Sequence, residues 1–170
     1  IGGSNKSGTC YPSARSGACL AAPHLVFQGH PPFVLNAPGE VVLSGTNTAI
    51  GEAAKVLQSR GIDNRALKVS HAFHSPLVDS VLPDFERIVS GLRTHAPTLP
   101  LYSNVTGRLA GSEIQTATYW AQHIRRPVRF MQGLQAAEQD GHTLFLEIGP
   151  RPTLSPLGLR TLPQSTWLPS

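Results

Sequence analysis

Three features of the 170-residue sequence predict an α/β fold. From residue 33 onward, strand-like and helix-like apolar periods alternate. The alternating run Arg65–Ser70 leads straight into a helix start at Ser75-Pro76. Further on, a strand at Leu101–Val105, two helical stretches and the apolar run Thr143–Ile148 give a strand–helix–strand order whose right-handed crossover implies a parallel sheet. Only 14% of residues are charged, against roughly a quarter in typical domains, and Gly 16 with Pro 15 is high, so loops and turns occupy much of the chain.

Residues 1–32 carry no clear period: Gly2 to Gly8 is linker-like and Cys10 to Ala22 is small and polar, so no element is assigned there. Phe33-Val34-Leu35 starts a strand, Asn36-Ala37-Pro38-Gly39 is a turn cluster, and Glu40–Ser44 is a short buried strand ended by Gly45. Thr46, Asn47 and Thr48 offer N-caps to a helix with Ile50, Ala53, Ala54 and Leu57 on one face and Gly61 past its end. With the strand at Arg65–Ser70 these make a small α+β layer.

After it, Ser75 is an N-cap and Pro76 suits the first helical position. Leu77, Val81, Phe85, Ile88, Val89 and Leu92 form a helical stripe, with a bend expected at Pro83. Leu101–Val105 is a second buried strand with Thr106-Gly107 as its turn. Tyr119–Ile124 is a short helix ended before Pro127, and another runs from Val128 to about Asp140 with Gly141 as its stop.

Net charge is +4, but apart from Arg125-Arg126 with Arg129 the basic residues are scattered, so no nucleic-acid partner is expected. No segment has the length and apolarity of a membrane span or the pattern of a signal peptide, and a cytoplasmic setting is expected. Cys10 and Cys19 match neither a disulfide framework nor a zinc spacing, and are read as reduced thiols. His71 and His74 lack the HExxH pattern or carboxylate set of a metal centre, so no metal is expected.

The two histidines lie at a strand-to-helix junction, where open α/β sheets gather ligands and catalytic groups. A general base needs an acceptor to orient one ring nitrogen and a nucleophile facing the other, and spacing supplies neither. Plain junction histidines bonded to backbone fit the spacing equally well. No Gly-x-Ser-x-Gly nucleophile elbow is present; Ser4, Ser16 and Ser44 adjoin glycines and read as turn residues.

Five stretches, taken together and in order, carry a resemblance. They are Val34–Gly45, Val69–Leu77 with its His-Ala-Phe-His, Ser103–Gly107, Tyr119–Phe130 and Phe145–Pro150. Residues 33–170 thereby resemble the C-terminal half of the malonyl-CoA:acyl-carrier-protein transacylase family, in the version built into modular type I polyketide synthases. The resemblance implies part of an α/β hydrolase-like large subdomain (71–170) and part of a ferredoxin-like small subdomain (33–70). It implies transfer of malonyl from CoA, through a serine ester, to the phosphopantetheine thiol of an acyl carrier protein, with no bound cofactor. Neighbouring polyketide synthase domains are the other expected partners.

By the same resemblance the catalytic histidine falls on His74, and the backbone carbonyl that orients it on His123. His71 and Phe73 fall on the substrate side: His-Ala-Phe-His accompanies malonyl in this family, whereas Tyr-Ala-Ser-His accompanies methylmalonyl. Phe73 is bulky enough to crowd the space an extra methyl needs. The family's Gly-His-Ser-x-Gly elbow, its carboxylate-binding arginine and its oxyanion-hole segment find no match among the 170 residues. The expectation is therefore a fragment inactive by itself and prone to aggregate, the alternative being a catalytically dead remnant that serves as a docking or structural piece.

Overall fold

The computed structural model describes residues 17–23 and 34–169, and shows strands and helices interleaved along the chain. The first part is an antiparallel sheet of β1 (Gly17–Pro23), β2 (Val34–Ala37), β3 (Glu40–Thr46) and β4 (Arg65–Ala66), in the order β2-β3-β1-β4. Pro38-Gly39 turns β2 into β3. Proline presets φ at the first central position, and Gly39 takes φ 73° at the second, as a type II turn requires.

Helix α1 (Asn47–Ser59) follows, and the Thr46 side chain accepts the amide of Ala49, one of the caps expected. Alternation along β3 divides its side chains between two faces. Val41 and Leu43 pack with Ile50 and Leu57 of α1, joined by Ala53, Ala54 and Ile62. Val42 turns the other way, against Leu67 and Val69.

The second part begins with a 3-10 turn at Pro76–Val81 and α2 (Leu82–Ser90). A hairpin of β5 (Tyr102–Ser103) and β6 (Arg108–Leu109) comes next, then a 3-10 turn at Ser112–Gln115 and α3 (Ala117–Arg125). The chain continues through α4 (Phe130–Gln139), β7 (Leu144–Glu147), α5 (Ser155–Thr161) and β8 (Thr166–Pro169). Helices α4 and α5 pack against β2, and Arg160 pairs with Glu40, so the two parts share an interface.

Several expectations change. A seven-residue strand, β1, stands inside the stretch left unassigned, so the small layer starts before residue 33. Its Gly-Ala-Cys-Leu-Ala-Ala-Pro sequence has no polar–apolar alternation, and the strand is specified by its ladder with β3. Residues 1–16, with Cys10, lie outside the described residues. The strand expected over Arg65–Ser70 keeps only two ladder residues, although Leu67 and Val69 still bury on one face at period two.

The helix expected from Pro76 to Leu92 is split, because Pro83 has no N–H to continue an earlier helix and sits instead in the first turn of α2. Its stripe is poorly covered: Val81, Ile88 and Leu92 are all exposed. The strand at Leu101–Val105 shrinks to β5, which pairs antiparallel with β6, while Val105 buries with Ile114 and Tyr119. A parallel crossover does exist, but it joins β7 to β8 through α5 rather than β5 to β7. Among the described residues no helix is long and apolar enough to cross a membrane, and no group of three or more His, Cys, Asp or Glu could hold a metal ion.

Candidate active site

His74 has φ 61°, and among the described residues it alone, outside the glycines, has positive φ. That conformation crowds an ordinary side chain and persists only where the surroundings over-determine it. Three sets of bonds do so. From the loop itself, Ser75 Oγ donates to Ala72 O at 2.7 Å and accepts from Leu77 N at 3.2 Å, capping the 3-10 turn in the N-cap role read from sequence. From the end of α3, Ile124 O accepts the His74 amide at 3.0 Å, and Arg126 O lies 2.8 Å from His74 Nδ1.

The α3 terminus is able to do this because the last carbonyls of a helix have no partner within it. Pro127 prevents the helix from continuing and pushes Arg126 into extended backbone, φ −80° and ψ 158°, which turns its carbonyl aside. Arg125 Nε holds Asp79 Oδ1 at 2.5 Å, and Thr118 bonds Glu86, so α3 is tied to the segment that follows the histidine loop. A third anchor comes from the small layer: Ser44 Oγ donates to Phe73 O at 2.7 Å.

A carbonyl can only accept, so the bond to Arg126 places a proton on Nδ1 and, in the neutral ring, leaves the lone pair on Nε2. Burial holds the His74 pKa below its usual value. The bond to Arg126 opposes that shift and the nearby charge of His123 adds to it. Near neutral pH the ring is thus uncharged and able to take a proton at Nε2.

The expected site residues fall as follows. Phe73 is about half exposed, and its ring lies 5.7 Å from that of His71 on the same loop. His123, half-buried on α3, stands against Trp120 at 5.9 Å and Tyr119 at 6.1 Å. The carbonyl expected from His123 is supplied by Arg126, three residues later, where the extended backbone before Pro127 turns the Arg126 carbonyl towards His74 Nδ1. Sequence reasoning also missed Ser44, which lies within β3 and not in a turn. Its two-residue spacing from Val42 was the available signal.

Residues 25–168 match the family model described as acyl transferase domain. Polyketide synthase GfsB of Streptomyces halstedii is 43% identical over 126 residues, covering 73% of this chain and 2% of that protein. The acyltransferase domain from the second module of the salinomycin polyketide synthase superposes with a TM-score of 0.81 at 38% identity, covering 90% of this chain and 39% of that one. The acyl transferase domain of SpnD, in complex with 2-(pent-4-yn-1-yl)malonyl, gives a TM-score of 0.84 at 26% identity, covering 90% of this chain and 40% of that one. The chain thus spans about two fifths of these solved domains and a small fraction of the curated synthase.

Proposed function

The chain belongs to the acyl transferase domain family, and from that premise we propose that it supplies the general base of a malonyl transfer from CoA to an acyl carrier protein within a polyketide synthase. The observation that carries this reading is His74 in its left-handed conformation with Nδ1 on the Arg126 carbonyl. Nε2 takes the proton of a serine hydroxyl as that oxygen attacks the malonyl thioester, and returns it to the departing CoA sulfur. The malonyl ester then passes to the phosphopantetheine thiol by the same steps, with the thiol as nucleophile and the serine as leaving group.

The serine belongs to the portion of the domain outside these 170 residues, which contain no Gly-x-Ser-x-Gly. In this reading the antiparallel layer of β1–β4 and α1 is part of the small ferredoxin-like subdomain, and the second part of the chain belongs to the large hydrolase-like one. The half-exposed Phe73 adjoins the base and narrows the space beside the acyl Cα, with His71 packed next to it.

In the intact parent enzyme, His74→Ala should slow acylation by malonyl-CoA about 10²- to 10⁴-fold, read as acyl-serine by mass spectrometry. Undiminished acylation would remove His74 from the mechanism. Phe73→Ser should raise methylmalonyl loading relative to malonyl by about 10-fold, in line with one methyl being worth about 1–3 kcal/mol in a pocket. An unchanged ratio would take Phe73 out of acyl selection.

A further inference from the structure

The histidine loop is held on its far side by a residue of the other layer. Ser44 is buried, at 4% exposure, in the middle of β3, and its hydroxyl donates to the carbonyl of Phe73 across 29 positions of sequence. Alternation places Ser44 on the face of β3 that Val42 shares with Leu67 and Val69, and the chain runs from those two residues directly into His71.

A carbonyl pinned in direction fixes the plane of its peptide unit, and the plane of Phe73–His74 is set by ψ of Phe73 and φ of His74. We propose that Ser44 is a positioning residue for the base: by holding Phe73 O it sets the left-handed φ of His74 that brings Nδ1 onto Arg126 O, and the direction from which the Phe73 side chain departs. The Ile124 and Arg126 carbonyls grip the histidine from α3 while Ser44 grips the preceding peptide from β3. The base is therefore clamped between the two layers. A shift of one layer against the other changes its aim.

This role rests on His74 being the base proposed above, and the two ideas fail separately. The measurement is the ¹⁵N spectrum of the imidazoles in the ¹⁵N-histidine-labelled intact acyltransferase domain near pH 8, as the parent and as the Ser44→Ala, Ser44→Thr and Ser155→Ala proteins. The last removes a buried hydroxyl of α5, bonded to Glu147 and not to the loop.

The parent should show His74 with Nδ1 protonated and Nε2 bare. Ser44→Ala should lose that distinction, its two nitrogen resonances converging as the tautomers mix. Ser44→Thr, which keeps the hydroxyl, should restore it, and Ser155→Ala should leave it intact. A parent with the proton on Nε2 would sink the base assignment itself. A Ser44→Ala spectrum identical to the parent's, or a folded Ser44→Thr protein that fails to restore the tautomer, would overturn the positioning role alone. Equal loss in Ser155→Ala would also overturn it, by showing general destabilisation.

Discussion

The antiparallel layer around β3 and the parallel pair β7–β8 are both built on short apolar runs, yet they end in opposite states. In β3 the Val-Val-Leu run is buried on both faces, under α1 on one side and Leu67 and Val69 on the other. In the parallel pair Leu144 is 63% exposed, Leu146 61% and Leu168 47%, and Ile148 just beyond reaches 84%. Phe145 does find a partner, stacking on Trp167 at 4.4 Å. Continuous apolar runs are typical of parallel strands because such sheets are covered by other elements on both faces. The small layer thus contains its own cover, whereas the parallel pair has it on one face only.

The sharpest way to break this contrast is one substitution type in both regions. Leu57, 1% exposed beneath β3, should lose about 2–5 kcal/mol on replacement by alanine. Leu146→Ala should change stability by less than about 0.5 kcal/mol. Denaturant titration of both variants checks the pair, and equal losses would show that the face of β7 is buried in solution.

Gly158→Ala comes next. A Cβ there would lie 2.0 Å from the ring of Trp167, so the indole must leave its stack on Phe145 or α5 must lift from β8. Overpacking of this kind costs about 1–3 kcal/mol. A change in Trp167 fluorescence together with lower stability is the expected result.

The smallest effect is a pH dependence confined to the parallel side. Glu147 closes the loop between β7 and α5, accepting from the amides of Leu154, Thr153 and Ser155 and from the Ser155 hydroxyl. These bonds, that of Leu154 foremost, hold its carboxyl down to about 2, from an ordinary 4.5. A lowered carboxylate pKa stabilises the fold above the unfolded value, and that contribution is lost as pH falls from 4.5 towards about 2. Amide exchange at residues 153–155 should rise over that range in the parent protein. In Glu147→Gln it should be fast throughout.

Local signals were legible wherever a residue's neighbours in sequence are also its neighbours in space. Thr46 caps α1 as expected, Ser75 takes the N-cap role at Pro76 though on a 3-10 turn and not the longer helix expected, and Gly61 and Gly141 follow α1 and α4 with positive φ. Ile50 and Leu57 face the core as their spacing implies. What could not be read depends on distant partners. β1 has a strand's ladder but not a strand's pattern, and the partner of β7 is β8 because α5 returns the chain parallel to it.

The candidate site divides in the same way. The sequence by itself determined that histidines stand at a junction closed by Ser75-Pro76, and that α3 must stop before Pro127, since capping and the missing proline N–H act over a few bonds. Only the tertiary structure decided which carbonyl His74 meets, which tautomer that imposes, and that a serine of β3 holds the peptide before it. Those choices require chain segments 29 and 52 residues apart to be brought within hydrogen-bonding distance, and no local periodicity encodes that approach.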